Sequence, residues 1–139
     1  MAVAGNAILY KRAGGYQNTK MHGYLMAASF GLALFGWYVI YSNKSASGKM
    51  HNTSWHAWVG LTCIGLYALM ILNGLLALHP DYGKFKANKT IRKAHTLVGR
   101  LATGLGFLAC AMGWYTMKGE YSTMVLSLPI AVFAWLLLR

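Results

Sequence analysis

The chain has 139 residues, of which 57% are hydrophobic and 11% charged, and it holds only two acids, Asp81 and Glu120. A soluble domain carries charge at about a quarter of its positions and keeps a charged face on its helices. Here the long apolar stretches have no such face, which excludes a soluble bundle. There is no hydrolytic triad, phosphate loop or paired carboxylate on which a freestanding enzyme could be built.

Residues 1–20 form a basic, Gly- and Ala-rich segment with no signal-peptide core. Residues 21–139 read as a transmembrane helical domain. The uncharged or nearly uncharged runs predict spans at about 21–41, 55–78 and 95–117, each near the roughly 20 residues needed to cross a hydrocarbon core. A shorter run at 122–138 carries Pro129 and predicts a fourth span, since a membrane helix tolerates proline when neighbours re-satisfy the freed carbonyl. The fold class is therefore all-α, a membrane bundle of three to four transmembrane helices.

The formal net charge is +11, yet the cations gather at helix ends, as membrane topology requires and nucleic acid does not. Four crossings place Lys11, Arg12, Lys20, Lys84, Lys86, Lys89, Arg92, Lys93 and Arg139 on one side, and only Lys44, Lys49 and Lys118 on the other. The first, basic side is then cytoplasmic, matrix or stromal, and its partners are anionic lipid headgroups. Trp37, Tyr38, Tyr41, Trp55, Trp58, Trp114, Tyr115 and Tyr121 belong to an aromatic belt at the opposite interface. Cys63 and Cys110 lie within spans without zinc-like spacing and read as packing residues.

Three histidines open the three spans: His22, His56 and His95. Ionisable groups are costly in a membrane, which makes each a candidate functional residue. The second and third begin a near-repeat. His56 is followed by Gly60, Gly65 and Gly74, and His95 by Gly99, Gly104 and Gly113, at the same offsets of four, nine and eighteen residues. At about 100° per residue, the fourth and eighteenth positions share the histidine's face and the ninth lies opposite. A glycine one turn below a histidine leaves room for a flat macrocycle bound to the imidazole. The glycine eighteen residues on clears the same face near the other membrane surface, and the ninth permits close packing with another helix or subunit. In the first span Met26 stands at the four-residue position, a flexible side chain able to bend around a ring edge. Spans one and three both start from the basic side, so His22 and His95 share a depth, whereas His56 lies alone at the opposite side.

These residues resemble the cytochrome b-561 family of membrane di-haem proteins. The segment Ser54-Trp55-His56-Ala57-Trp58-Val59-Gly60-Leu61 is similar to its Ser-Leu-His-Ser-Trp-Leu-Gly-Leu signature. His95 with Gly99 and Gly113 resembles its later His-x-x-x-Gly helix, and Lys20-Met21-His22 the start of the helix before the signature. The resemblance covers residues 20–118. It implies that His22 and His95 ligate the iron of a haem on the basic side. In the family the counterpart of His56 pairs with a histidine on a further helix, which would precede Lys20. The second site is then incomplete, with His56 an unpaired metal ligand unless Met124, at the start of the fourth span, completes a His/Met site in place of the missing histidine. Gly99 and Met26 would flank the ring, and Lys20 and Arg92 would meet haem propionates or an anionic reductant such as ascorbate.

Two functions follow. The chain is a b-561-like electron-transfer protein with one haem b, working inside a larger membrane complex and at most a haem-dependent oxidoreductase component. Alternatively it is an accessory, structural transmembrane subunit of a respiratory or photosynthetic complex, with no redox role or with a bound pigment. Either suits an organelle inner membrane, mitochondrial or thylakoid, better than a secretory one, and neither names the electron donor or acceptor.

Overall fold

Three long helices, α1 (Tyr16–Ala46), α2 (Trp55–Leu76) and α3 (Lys89–Lys118), make up the fold in the computed structural model, which describes residues 15–118. The expected fourth span at 122–138 and Met124 lie outside the described residues. Each of the three helices is long and apolar enough to cross a membrane. With 31 residues, α1 is about 46 Å long and exceeds a hydrocarbon core of about 30 Å by several turns. This is why α1 and α3 begin five or six residues before the apolar runs that predicted them: polar turns extend each helix into the headgroup region.

Local chemistry sets the ends. Gly15, at φ 134, precedes α1, and Gly48, at φ 63, ends the turn after it with a backbone conformation that other residues rarely adopt. Ser54 caps α2 by accepting from the Ala57 N–H at 3.3 Å. Asn88 caps α3, its Oδ1 accepting from Thr90 N at 2.9 Å and Ile91 N at 3.1 Å. Between α2 and α3 the chain turns tightly through Gly83, whose N–H donates to His79 O at 2.9 Å. A Cβ at Gly83 would lie 2.5 Å from His79 N and 2.7 Å from Ala77 O, so this turn accepts glycine alone.

The tightest pairing is the antiparallel α2–α3 hairpin, with α1 packed beside α2. Small residues build the seam: Cys63, Ala102, Thr103 and Ala109 are its buried members. A Cβ on Gly106 would lie 3.4 Å from Cys63 Sγ, so the two backbones approach closely there. Cys63 Sγ–H donates to Ala102 O at 3.3 Å, and the Tyr67 and Thr103 hydroxyls share a hydrogen bond of 3.2 Å. Interhelical hydrogen bonds of this kind contribute about 0.6 kcal/mol each within a membrane. Cys63 thus packs as its sequence context predicts.

The nine-residue glycines Gly31 and Gly65 do not meet another helix of this chain among the described residues. Side chains added at Gly31 or Gly65 would meet nothing within 4 Å. Their faces point away from the hairpin seam, and the close approach is made by Ala102, Gly106 and Ala109. Large apolar side chains such as Leu32, Phe35, Leu69 and Leu72 stay exposed, as they do where the surrounding solvent is lipid rather than water. The seven belt aromatics among the described residues are exposed too.

Candidate functional site

His22, on the second turn of α1, and His95, on the second turn of α3, meet across a cavity of about 540 Å³ near the basic end of the helices. Their ring centroids are 6.4 Å apart and their planes 75° from parallel. Two metal–nitrogen bonds of about 2 Å, with about 1 Å more from each nitrogen to its ring centre, put opposed imidazole centroids about 6 Å apart. The pair is therefore spaced for ligation of one metal ion from opposite sides.

The ring of His95 is fixed by α2. Its Nδ1 lies 3.2 Å from Asn73 Oδ1. The amide oxygen only accepts, so Nδ1 carries the proton and Nε2 keeps the lone pair that a metal takes. A Cβ on the neighbouring Gly74 would lie 3.5 Å from His95 Cε1, an ordinary contact, so α2 runs beside the imidazole with room for a methyl between them.

Gly99, Met26, Lys20 and Arg92 all line the same cavity, together with Arg100, Tyr67, Gly74 and His79. Gly99 has open space where its side chain would be, as a ring lying beneath His95 requires. The two cations are already engaged. Lys20 Nζ is 3.0 Å from Asp81 Oδ2 and 2.7 Å from the Tyr16 hydroxyl, and Arg92 Nε donates to Lys86 O at 2.7 Å. Lys86 Nζ in turn donates to Pro80 O and Asp81 O, both at 3.2 Å. The α2–α3 loop is thus a braced lip to the cavity. His79, stacked on Tyr82 at 4.0 Å, uses Nδ1 to accept the Asp81 N–H at 3.2 Å.

His56 sits at the other end of the hairpin. Its Nδ1 donates to Ala109 O at 2.8 Å, which leaves Nε2 unprotonated in the neutral ring. A Cβ on Gly113 would come within 2.8 Å of His56 Cε1, so Gly113 is the recess that holds this ring. The contacts are reciprocal: the glycine eighteen residues after His56 lies against His95, and the glycine eighteen residues after His95 lies against His56. Gly113 clears space for the partner helix's histidine, whereas a methyl at Gly74 would fit beside His95. His51 takes no part, being stacked on Tyr41 at 4.0 Å with Nε2 3.1 Å from Ser45 Oγ.

Sequence reasoning missed Asn73 and His79. A lone asparagine near a helix end reads as a cap, and the Asn73 carbonyl does accept from Ala77 N at 2.9 Å. Only the structure shows that its side chain is directed to His95. His79 lies outside the apolar runs that made the other histidines conspicuous.

The residues present suit a haem: two opposed imidazoles, a glycine where a macrocycle would press on the helix, and cationic groups at the mouth of the cavity. No curated protein and no solved structure matches the chain. The family model for eukaryotic cytochrome b561 matches residues 1–119, reaching beyond the segment that carried the sequence resemblance. The chain belongs to the eukaryotic cytochrome b561 family, and is an integral membrane protein of haem-binding electron transfer.

Proposed function

We propose that this chain holds one haem b between His22 and His95, near the basic membrane face, and passes single electrons at that surface. The observation that carries the reading is the 6.4 Å opposition of the two imidazoles across the cavity. Haem supplies a one-electron iron couple when bound. The chain's own residues would hold it through the His22 and His95 imidazole nitrogens, with the Gly99 clearance and the Met26 side of the slot. Arg92 and Lys20 place positive charge at the cavity mouth, suited to propionates or to an anionic reductant such as ascorbate. His56 has the tautomer and the recess of a ligand for a second site, which is incomplete among the described residues.

A dithionite-reduced minus oxidised spectrum of purified protein should show about one low-spin b-type haem per chain. His22→Ala and His95→Ala should each abolish it, and His56→Ala should leave it largely intact. Loss of haem in His56→Ala with retention in His22→Ala would overturn the assignment.

We further propose that the chain works within a larger assembly of an organelle inner membrane, contacting lipids and other membrane subunits. The support is α1, which buries none of its residues within the described chain. Co-purification from native membrane tests this, with a visible spectrum of the same sample. A protein that purifies alone, with its haem, from native membrane counts against it.

A further inference from the structure

We infer that Asn73 is a positioning residue that sets both the plane of the His95 imidazole and the reduction potential of the haem it ligates. The inference rests on the proposed ligation by His95. One hydrogen bond from α2 holds the ring. Asn73 Oδ1 accepts from the His95 Nδ1–H at 3.2 Å, while at Gly74 even an added Cβ would make only an ordinary contact with Cε1, at 3.5 Å. Rotation about the Cβ–Cγ bond of His95 would break this hydrogen bond, so the bond favours one orientation of the imidazole.

The comparison with His56 shows that this arrangement is particular to the basic-side site. His56 is oriented by a main-chain carbonyl, that of Ala109. The 39-residue offset that relates His56 to His95 and Gly74 to Gly113 relates Ala109 to Met70, not to Asn73. The hairpin therefore orients one histidine with a backbone atom that no substitution removes, and the other with an amide that a single substitution does. An acceptor on Nδ1–H draws the proton away from the ring and raises the basicity of Nε2. A more basic axial nitrogen favours the ferric over the ferrous state, so the Asn73 bond lowers the reduction potential of the site. It also holds the ring plane, on which the magnetic anisotropy of low-spin ferric haem depends.

The test uses the purified full chain with its haem, in wild-type form and as Asn73→Leu, Asn73→Asp and His95→Ala. Redox titration, low-temperature electron paramagnetic resonance and transfer of haem to apomyoglobin are measured on each. Asn73→Leu is expected to keep its haem, to raise the midpoint potential and to alter the spread of g values. Its haem should be lost about tenfold faster, the lower end of the effect of removing a ligand's outer partner. A tenfold weakening confined to the ferric state corresponds to a rise of about 59 mV for a one-electron couple. Asn73→Asp keeps an acceptor in place and adds charge, so its potential should fall below that of wild type.

An Asn73→Leu protein with wild-type potential and g values overturns the inference, and loss of haem in His95→Ala then leaves the ligand assignment standing. Retention of haem in His95→Ala overturns the ligand assignment and the inference with it. If Asn73→Leu does not accumulate, Asn73→Asp decides alone, and a potential equal to or above that of wild type counts against the role.

Discussion

At the scale of single residues, the reciprocal glycines give opposite expectations for one chemical change. A methyl on Gly113 would stand 2.8 Å from His56 Cε1, closer than packed carbons come. Gly113→Ala should push the imidazole off the Ala109 carbonyl and destabilise the hairpin by about 1–3 kcal/mol. At Gly74 the same methyl would rest 3.5 Å from His95 Cε1, an ordinary contact, and Gly74→Ala should shift stability by no more than about 0.5 kcal/mol. Thermal unfolding of the two variants in detergent measures the ranking, and a more damaging Gly74→Ala would show the contacts to be assigned the wrong way round. The histidines and their glycine spacings were legible in the sequence, because an imidazole within an apolar run is costly and conspicuous. What the eighteen-residue glycines touch was not legible. A repeat along one helix fixes which face a residue occupies, while the group that meets that face comes from another part of the chain.

At the scale of elements, α1 is the loosely held member, and its position decides whether His22 reaches His95. Asp81 reaches from the α2–α3 loop to Lys20 at 3.0 Å and fastens the start of α1 over the cavity. The Tyr16 hydroxyl first, and then the Lys20 ammonium, hold the Asp81 carboxyl below its ordinary value of 3.8. A carboxylate depressed in the folded state adds stability above that ordinary value, and the contribution is lost as pH falls through the lowered one. The fastening should therefore be unchanged across neutral and mildly acidic pH and give way only below the usual carboxylate range. Asp81→Asn should speed haem loss at pH 7 while leaving the α2–α3 hairpin intact, measured as haem transfer alongside helical circular dichroism. Equal rates in variant and wild type would show that α1 is placed by helix packing alone. The apolar runs gave all three described helices, but the ion pair of Lys20 with Asp81 was not legible. In a chain with two acids the partner of any one cation cannot be read from sequence distance. The seam was equally obscure, since Ala102 and Ala109 are unremarkable in a membrane helix.

At the scale of the whole molecule, the charge distribution predicts an N-terminus and a 79–94 loop on the same face of the membrane, with nine basic residues gathered there. Protease protection of tags at the two positions in sealed vesicles checks it. Protection of one and digestion of the other would separate His22 from His95 and remove the site. The reciprocal fit of His56 with Gly113 and His95 with Gly74 has a further consequence for insertion. A 39-residue offset interchanges the two pairs in sequence, so the pairing by itself carries no instruction about direction. That instruction comes from the ends, where Lys84, Lys86, Lys89, Arg92 and Lys93 crowd one turn and the other has Lys44 and Lys49. A chain stripped of those loop cations should still form its hairpin, but enter the membrane as a mixture of upright and inverted molecules.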